Sequence, residues 1–225
     1  MKSPLKAPDA RLFLAVQGVL YLWFLSWDLR DAGDTRWIKY ASIVLCFLFA
    51  AYQAARGGDR LTAAALAFTL GADAFLLLLD RYYPLGIGLF CVAHLLYRGR
   101  IGREGGGARP GLLILPALCG LLAALARWGA DTAMAAVYAL LLAGNVYLSW
   151  SCLRGRAGRL LCAGLTLLLC CDVCVGLHNL PGPVTAAVSA FADVGMWLFY
   201  LPSQVCAALS VVPERPEARF SHERE

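Results

Sequence analysis

Eight runs of apolar residues, each long enough to cross a bilayer, leave this chain almost no sequence with which to build anything else. Crossing about 30 Å of hydrocarbon takes about 20 mostly apolar residues. Such runs fall near residues 11–29, 37–56, 61–80, 84–98, 110–127, 131–153, 158–180 and 184–212. The composition agrees, with 60% apolar residues, 16% charged ones and a mean hydropathy of +0.64. The expectation is an all-α polytopic membrane helix bundle of about eight transmembrane helices. It forms one unit over 1–212, followed by a polar, disordered tail at 213–225.

The links between runs are short and rich in turn and charged residues: RDAGDTR, RGGDR, RGRIGREGGGARP, RGRAGR and PGP. Lysine and arginine in such links set orientation. With both termini cytoplasmic, 15 of the 20 basic residues share the cytoplasmic side, and Arg30, Arg36, Lys39, Arg81 and Arg127 lie opposite. The net charge of +5 then belongs to one membrane face and points to no nucleic acid. The first run is long and aromatic and has no small-residue cleavage site before Asp28, so it reads as a retained span rather than a signal peptide. All nine cysteines lie in or at the ends of spans, which is no disulfide framework. Cys171 and Cys174, although spaced C-x-x-C, read as small hydrophobes at membrane depth.

Ionisable groups in hydrocarbon cost about 2.5–3.5 kcal/mol each on insertion scales, so each one found there is a functional candidate. Asp73 lies mid-span in FTLGADAFLLLLD and Asp172 mid-span in LLLCCDVCVGLHNL. His94 and Tyr97 occupy the fourth span, Tyr138 and Asn145 the sixth, and Tyr200 and Gln204 the eighth, while Lys39 opens the second and His178 ends the seventh. On a helical wheel Tyr138 shares a face with Asn145, Tyr200 with Gln204 and Asp172 with Asn179, whereas His178 is turned roughly 120° from Asp172. Polar stripes on several helices cannot face lipid, so they are expected to line a polar cavity inside the bundle. Asp28, Asp80 and Arg98 lie near span ends and read as snorkelling side chains. Tyrosines read more plainly as packing residues, and His94 as an interhelical hydrogen bond. Pro202, between Tyr200 and Gln204, should kink its helix or free a carbonyl there.

The ordered set resembles the YhhN-like lysoplasmalogenase family of eight-span membrane proteins. It consists of Lys39 in WIKYASIVLCF, Asp73 in LGADAFLL, His94 and Tyr97 in AHLLY, Tyr138, Asp172 in CDVCVGLHN, and Tyr200 with Gln204 in YLPSQ. The resemblance covers about residues 11–212. It departs from the family at Cys171, commonly a serine there, and at His178, often an acidic residue. It implies hydrolysis of the vinyl ether bond of a lysoplasmalogen to a fatty aldehyde and glycerophosphoethanolamine or glycerophosphocholine. It further implies Asp73 and Asp172 as the acid-base pair, no cofactor or metal, a lysophospholipid substrate among membrane lipids, and a place in the bacterial cytoplasmic membrane.

Chemistry read from the residues agrees. Vinyl ether hydrolysis begins with a proton delivered to the β-carbon and leaves an oxocarbenium ion for water to capture. Of two carboxyls sharing a water-poor site, one can be kept protonated to donate while the other, ionised, steadies the cation. Lys39 and His94 are both candidates for holding the phosphate. Two rivals remain from the sequence. A zinc hydrolase commonly needs three protein ligands, and the chain has only His94, His178 and, in the tail, His222. A small proton-coupled transporter would use Asp73 and Asp172 as a proton relay.

Overall fold

The computed structural model describes residues 8–105, 127, 129–179 and 186–213. Among them are seven helices and no strand: α1 (Pro8–Asp28), α2 (Arg36–Ala55), α3 (Arg60–Asp73), α4 (Tyr83–Gly105), α5 (Ala130–Cys152), α6 (Gly155–His178) and α7 (Ala186–Leu209). Helix α3 runs on without a break as a π-helical stretch, Ala74–Leu79. Five of the helices are long and apolar enough to cross a membrane: α1, α2, α3 with its π extension, α5 and α6. The protein is therefore a helical membrane protein. The expected fifth span, 110–127, and the tail from 214 onward lie outside the described residues.

The packing is that of a bundle in lipid, with large apolar side chains outside and small ones between helices. Leu12, Val19, Leu22, Trp37, Tyr147 and Trp150 are exposed, whereas Ala50, Ala65, Ala72, Ala93, Ala192 and Ala208 are buried. Where α6 packs on α7, a Cβ on Gly164 would come 2.9 Å from the Ser203 carbonyl oxygen, so only glycine fits. Helices α4 and α5 run parallel, since Gly88 lies against Met134 near their starts and Gly105 against Cys152 at their ends.

Pro202 leaves α7 continuous, and the expected freed carbonyl is that of Leu198, four residues earlier. The Tyr21 hydroxyl of α1 donates to it at 2.9 Å. A proline defect in one helix thereby becomes a tie to another.

Two expectations about α4 need correction. The helix runs to Gly105 rather than ending near residue 98, and it carries Arg98 and Arg100 inward. Arg98 does not snorkel: it is 6% exposed. Arg100, expected in a link, is 1% exposed. Its Nη1 donates to the Thr62 and Ser210 hydroxyls, each at 2.8 Å, and its Nη2 to the Ser210 carbonyl at 3.1 Å. Its Nε pairs with Glu104 at 2.8 Å and Asp59 at 3.6 Å. This one guanidinium clamps the ends of α3, α4 and α7.

Asp59 caps α3, accepting from the Thr62 amide at 2.8 Å, and also pairs with Arg103. Burial pushes its carboxyl up, but the hydrogen bonds from Thr62 and the charges of Arg100 and Arg103 outweigh this and hold it below the usual carboxylate value. A depressed folded-state value stabilises the protein at neutral pH and is lost as pH falls below about 4. Asp59→Asn keeps a good cap but removes the charge. It is expected to cost about 1–3 kcal/mol at pH 7, with the difference from the parent shrinking as pH falls through 4. Thermal unfolding of the detergent-solubilised protein at several pH values checks this.

Candidate active site

Asp73 is the last residue of regular α3, immediately before the π-helical stretch, and is 5% exposed. A π turn widens the helix and redirects the side chains beside it, and such turns recur at functional sites. The Tyr200 hydroxyl of α7 donates to Asp73 Oδ2 at 2.6 Å. Asp172, on α6, lies within electrostatic reach of the Tyr138 hydroxyl of α5. Its Oδ2 is sealed from solvent and has no hydrogen-bond partner among the described residues.

These two carboxyl–tyrosine pairs form one neighbourhood. Tyr138 and Cys171 lie within electrostatic reach of both aspartates, and Tyr200 within reach of Tyr138 and Cys171. Four helices thus bring two carboxyls and two phenols together at membrane depth. The groove of about 400 Å³ lined by Phe47, Ala51, Ala54, Arg60, Ala63 and Ala67 lies elsewhere, between α2 and α3.

Around the cluster the other candidates divide into two groups. On one side the Trp197 ring stands 5.4 Å from that of Tyr200, and the Lys39 ammonium lies 4.7 Å from the Trp197 ring centre. Lys39 is bound to Asp28 at 2.8 Å, and Asp28 also accepts from Thr35 at 2.6 Å. That ammonium already has its counter-ion. On the other side the His94 ring stands 5.1 Å from Tyr138 and 5.8 Å from Tyr97. Asn145 donates to the His94 carbonyl at 2.8 Å and comes within 3.4 Å of His94 Nδ1. Gln204 is buried, donates to Ser203 at 3.2 Å, and has no partner for its Oε1 among the described residues.

His178 is not brought in. It is exposed at the end of α6 and pairs with Asp193 of α7 at 2.5 Å. Asn179 is also exposed and donates back to the Val175 carbonyl. Trp197 and Arg98 were missed in the sequence, although each had a signal. Trp197 precedes Tyr200 by three residues and Arg98 follows His94 by four, spacings that share a helix face. No group of three His, Cys, Asp or Glu residues that could hold a metal occurs among the described residues.

The model of the YhhN family matches residues 35–211, well over half of the chain. The chain belongs to the YhhN family. Comparison with curated proteins and with solved structures finds no match. The stretch shared with the YhhN family runs from before Lys39 to beyond Gln204, and so contains both aspartates and both of their tyrosine partners.

In this YhhN-family chain, Tyr200→Phe leaves a buried carboxyl without its donor and is expected to cost about 1–3 kcal/mol. Combined with Asp73→Asn the losses should fall short of their sum by at least about 0.5 kcal/mol. Combined with His178→Ala they should add. A double-mutant cycle on thermal unfolding separates the two cases.

Proposed function

We propose that this chain is an intramembrane lipid hydrolase that cleaves the vinyl ether bond of lysoplasmalogens. The products are a fatty aldehyde and glycerophosphoethanolamine or glycerophosphocholine. The observation that carries the reading is one cluster of two aspartates and two tyrosines, Tyr200 bound to Asp73 and Tyr138 within reach of both carboxyls, in a YhhN-family protein.

The chemistry needs little else. One carboxyl gives its proton to the β-carbon of the vinyl ether, and the double-bond electrons form the new C–H bond. Positive charge appears on the α-carbon and its oxygen. The second carboxyl, as carboxylate, faces that cation and takes a proton from the water that attacks the α-carbon. The hemiacetal then collapses to aldehyde and alcohol, and proton return restores the pair. A low-dielectric surrounding strengthens the carboxylate–cation attraction. The Tyr200 hydrogen bond fixes where the Asp73 carboxyl points, so that reacting atoms meet in a productive geometry.

The test is aldehyde release, read by mass spectrometry, from ethanolamine and choline lysoplasmalogens with detergent-purified protein. The parent is expected to release aldehyde. Asp73→Asn and Asp172→Asn should each lose at least about 100-fold while unfolding at temperatures near the parent's. His178→Ala should stay close to the parent. No aldehyde from either headgroup would overturn the reading.

A further inference from the structure

Among the described residues, the inward-facing cations Lys39 and Arg100 have anions beside them and Arg98 does not. Lys39 has Asp28, and Arg100 has Asp59 and Glu104. Arg98 is 6% exposed, yet among the described residues its one hydrogen bond is from Nη1 to Asn145 Oδ1 at 3.5 Å, and no carboxylate pairs with it. Burying a charge without a counter-ion is costly, and an arginine so placed is a site waiting for an anion. Its flat, five-donor fork is the shape that fits a phosphate.

Its surroundings connect it to the carboxyl cluster. Asn145 is oriented by its contacts to His94, which turn its oxygen toward Arg98. The His94 ring stacks edge-on against Tyr138, and Tyr138 lies within electrostatic reach of Asp172. Along α5 the distance from Tyr138 to Asn145 is seven residues, or about 10 Å of helix. In a lysoplasmalogen the β-carbon that takes the proton is roughly seven bonds from phosphorus, about 8 Å for an extended chain. The rise between the residues beside the two places is thus of the same order as the spacing of the two groups in the lipid.

We propose that Arg98, positioned by Asn145, binds the phosphodiester of the lysophospholipid while the vinyl ether lies between Asp73 and Asp172. This rests on the hydrolase reading above and deepens it. Lys39 and His94, the candidates from sequence, are then not the phosphate ligands. Lys39 is already neutralised by Asp28, and His94 holds Asn145 through its carbonyl. The arrangement sets the lipid's direction: headgroup toward the Gly105 and Cys152 ends of α4 and α5, alkenyl chain toward Asp172.

The experiment has two arms, both on the full chain in detergent. In the first, binding of a non-cleavable 1-alkyl-lysophosphatidylcholine is compared with that of 1-alkylglycerol, which lacks the phosphate. Arg98→Gln should weaken the phospholipid by about 10- to 100-fold and collapse its preference over the alkylglycerol. Arg98→Lys, which keeps the charge but not the fork, should fall between. Asn145→Asp offers Arg98 a carboxylate and should also lose the preference, in a protein whose unfolding temperature shows it to be folded. Equal weakening of both ligands, or a preference that survives in Arg98→Gln and Asn145→Asp, overturns the proposal. The second arm compares aldehyde release from lysoplasmalogen and from 1-alkenylglycerol. Aldehyde release with an unchanged preference in Arg98→Gln overturns the phosphate site alone. A preference lost in Arg98→Gln without any aldehyde from the parent overturns the hydrolase reading and leaves the phosphate site standing.

Discussion

Hydrocarbon offers neither a donor nor an acceptor, so each polar group that enters it must be satisfied by another part of the same protein. The structure can be read as a set of answers to that demand. Tyr21 completes the carbonyl that Pro202 frees, and Tyr200 completes Asp73. Asp28 neutralises Lys39, and Arg100 spends nearly all of its donors on α3, α4 and α7. Apart from the Arg100–Glu104 pair inside α4, each answer runs between helices or their ends rather than within one. The polar residues therefore fix which helices are neighbours, and the apolar ones fill the space between.

A few groups stay unanswered. Among the described residues, Asp172 Oδ2 and Gln204 Oε1 have no partner, and Arg98 has no counter-ion. Leaving such groups open costs stability, which proteins tolerate mainly where function requires it. The contrast within the molecule is clear. At the end where α3 starts, the Arg100 and Asp59 junction is saturated with hydrogen bonds. Along the line from Arg98 to Asp172 the partners are fewer, and an aldehyde-forming lipid hydrolase would need that free capacity for its substrate.

The helical, membrane-spanning character was legible from the apolar runs, because hydropathy over about 20 residues measures the very property that drives insertion. The aspartates stood out for the same reason, as exceptions to that property. Spacing along one helix predicts a shared face, and Tyr200 with Gln204 are both buried accordingly. It does not say which helix lies opposite, so the Asp73–Tyr200 and Asp172–Tyr138 partnerships were not readable. The inward turn of Arg98 and Arg100 was hidden because arginine counts against a span in any hydropathy sum, which ended the expected helix too early. The π-helical stretch after Asp73 has no glycine or proline to announce it: AFLLLL reads as any other apolar helix. His178 looked like a site residue by its nearness to Asp172 in sequence, but its rotation and the end of α6 carry it to the surface.

The central claim is that a buried carboxyl delivers a proton to carbon. Its most direct test is the hydrolysis of one lysoplasmalogen by the purified protein in D2O and in H2O, quenched early and followed by mass spectrometry. The account predicts a rate several-fold slower in D2O, with one deuterium on the carbon next to the aldehyde carbonyl. Equal rates in the two solvents, or aldehyde that carries no deuterium at that carbon, would contradict it.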